Sequence, residues 1–334
     1  MTTKFRILGS GEWGLAIAYH LSQQDYPVEI YGRTKNKIDD FNQKKVCKSL
    51  NIKFNQNVSF DHLANIANQP FSDNTHNLIA TSSSGFADLL NQNKNYLSKY
   101  SNFIWLTKGL DKESKKFFDE LLCHHFGSSI NCCLISGPSF AKDLVGGENI
   151  SVSIASNSND YMDTIEKCFI SDNFIMHKTN DLIGVQVSGV MKNVAAILSG
   201  ILTSHNYDSS SILKMIAITK KEIFEITKYI YTTRELTLDN NEITKTLESP
   251  SCDGDLKLSC LSDHSRNRRF GLRLLGSNSF EQIIDHIGTV EGYVMTPVLH
   301  EMVRDNNIGP ILKSVNGILF KNQKFEETEI INYL

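Results

Sequence analysis

A glycine-rich turn constrains the fold of this chain more than any other feature of its sequence. Residues 4–8 (KFRIL) have the composition of a short strand, and Gly9-Ser10-Gly11-Glu12-Trp13-Gly14 follows without a break. Residues 15–21 then read as an amphipathic helix and residues 28–31 as a second strand. In a G-x-G-x-x-G turn the first glycine permits the bend, the second lets backbone approach a pyrophosphate, and the third packs helix on strand. This order predicts a Rossmann-type, dinucleotide-binding domain.

The end of the second predicted strand indicates which dinucleotide would bind. A site selective for NAD(H) usually has an acidic residue there, which holds the ribose 2′-hydroxyl. Here Glu29 comes too early, and the strand is followed by Arg33, with Lys35 and Lys37 close behind. Because a cation tolerates or prefers a 2′-phosphate, the sequence favours NADP(H) and leaves NAD(H) open.

Strand-like and helical segments alternate up to about residue 180, which predicts an α/β domain with a parallel, doubly wound sheet. Helices are expected at residues 112–126 and 160–169, among others. Further strands are predicted at residues 58–60, 77–81, 102–106, 132–136, 151–155 and 174–177.

Beyond residue 181 the apolar residues recur with helical spacing. This holds for residues 184–203, 210–231, 279–287, 291–306 and 311–320, whereas the polar residues 232–254 predict one short helix in a loop-rich segment. The sequence therefore predicts a dinucleotide-binding domain at residues 1–180 and an all-α substrate and catalytic domain at residues 181–334.

The composition is typical of a soluble enzyme and not of a nucleic-acid or membrane-surface protein. The 334 residues are 40% hydrophobic and 21% charged, with a net charge of −3. No apolar run approaches the roughly 20 residues that cross a bilayer, and the N-terminus enters the first strand at once, so neither membrane insertion nor a signal peptide is expected. The seven cysteines lack framework spacing, which indicates reduced thiols in a cytoplasm. No metal site is expected, because residues 123–125 (CHH) and 132–133 (CC) fit no zinc pattern.

Residues 251–271 carry the densest group of phosphate-binding side chains. Asp255 comes eleven residues before the block Arg266-Asn267-Arg268-Arg269, and Ser265 directly precedes that block. Arg binds phosphate oxygens in pairs, so the block suits a doubly charged phosphate, either of a cofactor or of a small phosphorylated substrate. A solvated, basic helix end is the alternative for the block on its own.

Four further segments complete a pattern along the chain. They are residues 105–110 (WLTKGL), 136–142 (SGPSFAK), 187–201 (VSGVMKNVAAILSGI) and 290–292 (VEG). Together with GSGEWG, GDLKLSC and SRNRRFG they resemble the bacterial-type NAD(P)-dependent glycerol-3-phosphate dehydrogenases, in the family's order and over nearly the whole chain. The chain departs from that family at Glu12 in the glycine turn, at residues 209–214 and at residues 249–254.

The resemblance implies interconversion of dihydroxyacetone phosphate and sn-glycerol 3-phosphate, mainly as a reduction that supplies the backbone of phospholipids. Reducing a ketone requires a proton donor at its oxygen, and Lys192, on an apolar helix, is the candidate. The resemblance implies substrate contacts at Lys108, Gly137, Ser139, Lys192, Asp255, Ser265, Arg266 and Asn267. It implies cofactor contacts at Gly9, Gly11, Glu12, Trp13, Gly14, Arg33, Lys108, Ala141, Arg266, Val290 and Glu291.

Two other functions stay open at this point. Another two-domain reductase, of a β-hydroxyacid or of ketopantoate, would share the glycine turn, but its carboxylate substrate would need no clamp like the arginine block. A catalytically silent dinucleotide-binding sensor is the second, and the presence of Lys108, Lys192 and Asp255 together argues against it. We expect a phosphorylated small molecule and no nucleic acid as partners, with a homodimer as one assembly open to the chain.

Overall fold

The computed structural model describes residues 3–276, 279–304 and 309–334. The chain divides into two compact units, one formed by residues up to 111 with 117–180, and the other by residues 112–116 with those from 181 onward. The first unit is an α/β sandwich of helices on a sheet, and the second is built from helices. The predicted fold class is therefore confirmed.

The first unit is organised around an eight-stranded sheet in the order β10-β9-β8-β7-β6-β1-β2-β5, next to a small β3–β4 hairpin. Neighbouring strands pair in parallel, as predicted, except that β8 and β9 are antiparallel. The glycine turn follows β1, which lies inside the sheet between β2 and β6. The strands are β1 Lys4–Leu8, β2 Val28–Gly32, β3 Val46–Cys47, β4 Ile52–Lys53, β5 Val58–His62, β6 Thr75–Ile79, β7 Asn102–Trp105, β8 Asn131–Ser136, β9 Ile150–Ser156 and β10 Phe174–Thr179.

One predicted helix of this unit is wrong over its first six residues. The expected helix at residues 112–126 begins only at Phe118, because Lys115 has a left-handed φ of 56°. The start is fixed by Glu120, whose carboxylate accepts the backbone N–H of Phe117 at 3.1 Å. The helices of the unit are α1 Glu12–Gln23, α2 Lys35–Lys44, α3 Ser83–Leu97, α4 Phe118–Phe126, α5 Ala141–Gly146 and α6 Asn159–Phe169, with a 3-10 turn at Leu63–Asn68.

The central strand β1 carries a buried charge among apolar neighbours. Phe5, Ile7 and Leu8 are fully buried, as expected for a strand covered on both faces. Arg6 is also fully buried, and its Nε donates to Glu29 on β2 at 3.1 Å. An unpaired buried charge would be costly. Glu29 compensates the charge of Arg6 and also pairs with Lys4.

The second unit is all-helical over its described residues, as predicted. The polar stretch 232–254 contains one short α-helix, α9, followed by a π-helical turn at Pro250–Gly254. The helix expected at residues 291–306 ends at Met302, and residues 305 and 306 lie outside the described part of the chain. The helices are α7 Leu182–Ser204, α8 Ser209–Thr233, α9 Asn240–Glu248, α10 Asp255–Leu261, α11 Arg266–Leu274, α12 Phe280–Ile287, α13 Glu291–Met302 and α14 Pro310–Phe320.

Helix α7 forms the centre of the second unit. It begins at the buried Asp181, whose side chain accepts the N–H of Gly184 at 2.8 Å and the hydroxyl of Tyr231 at 3.0 Å. Helix α11 packs closely against it at Gly200 and Gly271, where a Cβ on either residue would overlap the backbone of the other helix. By length and composition α7 alone among the described helices could cross a membrane, but 89% of its most apolar window is buried inside the protein, which is typical of a core helix.

Candidate active site

The glycine turn of the first unit has the geometry of a phosphate-binding backbone. Gly9 has a φ of +129°, and a Cβ there would overlap the Ala80 carbonyl oxygen. A Cβ on Gly14 would lie 2.8 Å from the Gly9 oxygen, whereas one on Gly11 would have no atom within 4 Å. Gly9 and Gly14 are thus required by the turn itself, and the surface at Gly11 stays open to a ligand at the N-terminus of α1.

A cleft opens at this turn, between the ends of β1, β2 and β6. It is lined by the glycine turn and by residues that follow the other two strands, among them Arg33, Lys37, Thr81 and Ser82. The Arg33 side chain is exposed and has no hydrogen bond or ion pair within the described residues. The cleft suits a dinucleotide, because the open backbone at Gly11 faces the pyrophosphate position and the cations Arg33 and Lys37 lie after β2.

Two predicted cofactor residues in the turn have different surroundings. Glu12 is exposed in the first turn of α1, where its charge favours the helix but opposes a nearby phosphate. Trp13 is half-buried and packs against the core of the unit.

Three predicted substrate residues of the first unit converge on one carbonyl. The Lys108 Nζ, after β7, donates to the Gly137 oxygen at 2.9 Å. The Ser139 hydroxyl, after β8, donates to the same oxygen at 3.3 Å. Ala141 follows at the start of α5. Because β7 and β8 run parallel, these groups gather at the carboxyl edge of the sheet, where open α/β sheets bind ligands.

In the second unit Lys192 and Asp255 form a buried ion pair. The Lys192 Nζ, on α7, lies 2.7 Å from Oδ1 of Asp255 at the start of α10, and the two side chains are 13% and 2% exposed. The π-helical turn before Asp255 is stabilised by Asp253, which pairs with Lys220 at 3.2 Å and with Lys257 at 2.7 Å. The Lys192 amine is thereby held in a defined position.

The residues of the arginine block have separate tasks. The Ser265 hydroxyl caps α11 by accepting the N–H of Arg268 at 3.3 Å, and the Arg268 guanidinium pairs with Asp263. Arg266 is exposed, and within the described residues it has neither a hydrogen bond nor an ion pair. Its Nη1 lies 3.8 Å from the Cβ position of Gly288, so this guanidinium is available to an anionic ligand beside residues 288–291.

Asn193 is a polar residue of this site that the sequence analysis did not assign. Its Oδ1 accepts from the Asn267 side chain at 2.9 Å, and the Asn267 Oδ1 accepts the N–H of Gly292 at 2.8 Å. This chain joins α7, α11 and the start of α13, where Val290 and Glu291 lie. The signal for Asn193 in the sequence is its place beside Lys192 in the segment at residues 187–201, one of the segments that carry the family resemblance.

The cysteines near Lys192 are not nucleophiles. Burial raises the pKa of Cys260 to about 12 despite the opposing charges of Lys192 and Arg268, and burial likewise raises the pKa of Cys252 to about 12. Both thiols are therefore protonated at neutral pH.

A Rossmann sheet with an open glycine turn, followed by a helical unit with a buried Lys–Asp pair, defines a two-domain nicotinamide-dependent dehydrogenase. Residues 4–162 match the model of the NAD-dependent glycerol-3-phosphate dehydrogenase N-terminus, and residues 181–329 match that of the C-terminus. The chain belongs to the NAD-dependent glycerol-3-phosphate dehydrogenase family.

Individual relatives agree with this assignment. A protein of Francisella tularensis subsp. novicida named glycerol-3-phosphate dehydrogenase [NAD(P)+] is 30% identical, over 96% of this chain and 94% of its own length. The crystal structure of glycerol-3-phosphate dehydrogenase from Coxiella burnetii is 25% identical, covers 97% of both chains and has a TM-score of 0.83. A probable 2-dehydropantoate 2-reductase from Bacillus subtilis, 15% identical over 96% of this chain and all of its own, has a TM-score of 0.54 and shows a shared fold alone.

Proposed function

We propose that this chain reduces dihydroxyacetone phosphate to sn-glycerol 3-phosphate with NADPH or NADH, NADPH being favoured, and also runs the reverse oxidation. The product would supply the backbone of glycerophospholipids in the cytoplasm. The observation that carries the proposal is the buried Lys192–Asp255 pair, with its 2.7 Å contact, in a chain whose other unit has an open dinucleotide turn.

The cofactor would be held by the backbone of Gly9 to Gly14, with Arg33 at the 2′-position and Ala141, Val290 and Glu291 as further contacts. When bound, it supplies a hydride to the carbonyl carbon of the ketone. Lys108, Gly137 and Ser139 would orient the substrate through their hydrogen-bonding groups. Lys108 would bring positive charge to the developing alkoxide.

Lys192 would donate a proton from Nζ to the ketone oxygen as the carbon is reduced. One of its N–H groups points to Asp255, so the other two remain for the substrate. Asp255 would keep the amine oriented through this contact. In the oxidative direction the neutral amine would accept the hydroxyl proton, as general acid–base catalysis requires.

Arg266 would bind the substrate phosphate, the cofactor or both, since its guanidinium is exposed and without a partner in the described residues. Ser265 and Asn267 would add neutral donors. The Asn267 amide already donates to Asn193 and accepts from Gly292. Its main contribution would therefore be to fix the position of Arg266 relative to the start of α13.

The test is the oxidation of NADPH and NADH, followed by absorbance, with a panel of ketones. The proposal expects turnover with dihydroxyacetone phosphate and little with ketopantoate or tartronate semialdehyde. Turnover with a carboxylate-bearing ketone instead would indicate the other reductase class. Tight cofactor binding without turnover of any ketone would indicate a sensor.

We also propose that the protein is soluble and assembles as a homodimer. Sedimentation equilibrium should then give twice the chain mass of 37.6 kDa, and a mass of one chain at micromolar concentration would contradict the dimer.

A further inference from the structure

The cofactor cleft contains a second cation, Lys37, which the sequence places shortly after Arg33 and which is not among the cofactor contacts expected above. Lys37 lies in the first part of α2, four residues after Arg33, and lines the cleft together with Ser10, Gly11 and Arg33. Of the described residues that line this cleft, one is acidic, Asp88 on α3. Glu29 does not line the cleft and pairs with Arg6 and Lys4. The charged residues of the cleft are therefore two cations, Arg33 and Lys37, and one carboxylate, Asp88.

Lys37 is held in place without any ligand. Its Nζ donates to the Ser10 carbonyl oxygen at 2.7 Å, and the ammonium lies 5.7 Å from the centre of the Phe41 ring, one helical turn later. Phe41 is 6% exposed and packs against Phe54 and Phe60. A side chain ordered in advance loses less conformational entropy when it binds an anion.

The ammonium of Lys37 also has hydrogen-bond donors left for a ligand. One of its three N–H groups serves the Ser10 oxygen, so two remain for an anion. A doubly charged phosphate group placed between Lys37 and Arg33 would receive charge-assisted hydrogen bonds from both. A ribose with a free 2′-hydroxyl would gain much less, because a hydroxyl carries no charge.

We propose that Lys37 is a specificity-determining residue that binds the 2′-phosphate of NADP(H) together with Arg33. This proposal rests on the proposed use of NADP(H) and adds the second cation that recognises it. The contact with Ser10 defines a competing role, in which Lys37 only supports the glycine turn. That role would serve NADP(H) and NAD(H) equally, so the two cofactors separate the alternatives.

The first experiment measures binding alone, by calorimetry of adenosine 2′,5′-bisphosphate and adenosine 5′-monophosphate. Lys37→Met should weaken the bisphosphate on the order of tenfold, the usual scale of one charge-assisted bond at a partly exposed site. It should leave the monophosphate within about twofold. Lys37→Arg should restore bisphosphate binding, and Lys44→Met, which removes an exposed lysine at the C-terminal end of the same helix, should change neither nucleotide.

The second experiment measures kcat/KM for NADPH and NADH with saturating dihydroxyacetone phosphate. Lys37→Met should lower the value for NADPH on the order of tenfold and leave that for NADH nearly unchanged. Equal losses with both cofactors, or equal weakening of both nucleotides, would overturn the proposal in favour of support for the turn. No loss in either assay would overturn it in favour of Arg33 alone. If no ketone is reduced, the proposed function fails, yet the binding experiment still decides the role of Lys37.

Discussion

The two units build their parts of the candidate active site in different ways. In the first unit the candidate ligand surface is mainly backbone: one run of six residues, Gly9 to Gly14, supplies the turn, and the cations Arg33 and Lys37 follow a neighbouring strand. In the second unit the candidate site consists of side chains brought together from separate helices, Lys192 and Asp255 being 63 residues apart. If the proposed roles hold, the first arrangement should tolerate changes that preserve the backbone geometry, whereas the second should fail when a single functional group is lost.

The largest effect outside the proton donor is expected for Gly9→Ala. The added Cβ would overlap the Ala80 carbonyl, and the φ of +129° is unfavourable for any residue with a Cβ. NADPH affinity should fall by about 10²-fold or more, together with a loss of stability on the order of 2 kcal/mol. Fluorescence titration and urea unfolding measure the two losses.

Gly11→Ala is the matched control, because its Cβ would meet no protein atom within 4 Å. It should keep wild-type stability and weaken NADPH alone. If both variants were equally destabilised, the turn would not be divided into a structural and a ligand-facing glycine.

The next largest effect is expected for Arg266→Ala in the second unit. Losing a charge-assisted bond to phosphate costs about 1.5–3 kcal/mol, which is roughly 10- to 150-fold in kcat/KM. The measurement compares dihydroxyacetone phosphate with unphosphorylated dihydroxyacetone. The variant should lose much of the preference for the phosphorylated ketone.

Arg273→Ala, an exposed arginine on the same helix, is the control and should behave like the wild type. An equal slowing of both ketones by Arg266→Ala would show that Arg266 serves the cofactor or the fold.

A smaller effect is expected for the charge reversal Arg33→Asp. It removes the free cation at the tip of β2 and places an acid where NAD-selective sites have one. NADPH use should fall on the order of tenfold more than NADH use, as measured by the ratio of the two kcat/KM values. An equal loss with both cofactors would mean that Arg33 does not recognise the 2′-position.

The last two predictions concern the pH dependence of stability, to which the two units should contribute in opposite directions. Burial lowers the pKa of His76 in the first unit to about 4, from an ordinary value of 6.5. The unfolded chain therefore gains a proton first as the pH falls, and stability should decrease from pH 6.5 towards 4 by up to about 1 kcal/mol for each pH unit. Urea unfolding of the wild type and of His76→Gln at pH 7.5 and 5 measures this, and an equal decrease in both proteins would contradict it.

Glu222 in the second unit has the opposite shift. Burial raises its pKa from 4.5 to about 7, although it accepts the N–H groups of Ile311 and Leu312 at the start of α14. The folded state keeps this proton longer, so the stability present below pH 4.5 should be lost as the pH rises to 7, again by up to about 1 kcal/mol for each unit. Glu222→Gln should remove that dependence, and a variant that still loses stability over this interval would contradict the assignment.

The sequence predicts most of the first unit because its signals are local. Strand β1, the glycine turn and α1 follow one another directly, and apolar runs locate the other seven strands of the large sheet to within a few residues. The antiparallel pairing of β9 has no such signal, since the direction of a strand depends on the connections around it. The false helix at residues 112–117 shows the same limit, because the left-handed Lys115 interrupts a segment of suitable composition.

In the second unit the sequence predicts the long helices but not their contacts. Helices α10 and α11 have only seven and nine residues, too few for a clear periodicity. The Lys192–Asp255 and Asn193–Asn267 contacts join residues that no spacing rule connects. The roles proposed for Lys192 and Asp255 come from resemblance to a family, and the contacts give those proposals a physical basis.

The most direct test is Lys192→Met, because we propose that the cofactor is held mainly by the first unit, whereas the proton donor lies in the second. NADPH binding, measured by fluorescence titration, should stay within about threefold of the wild type, while turnover of dihydroxyacetone phosphate should fall by about 10²-fold or more. Lys221→Met, an exposed lysine on α8, should leave both quantities unchanged. Near-normal turnover of Lys192→Met, or a loss of NADPH binding as large as the loss of turnover, would contradict the account.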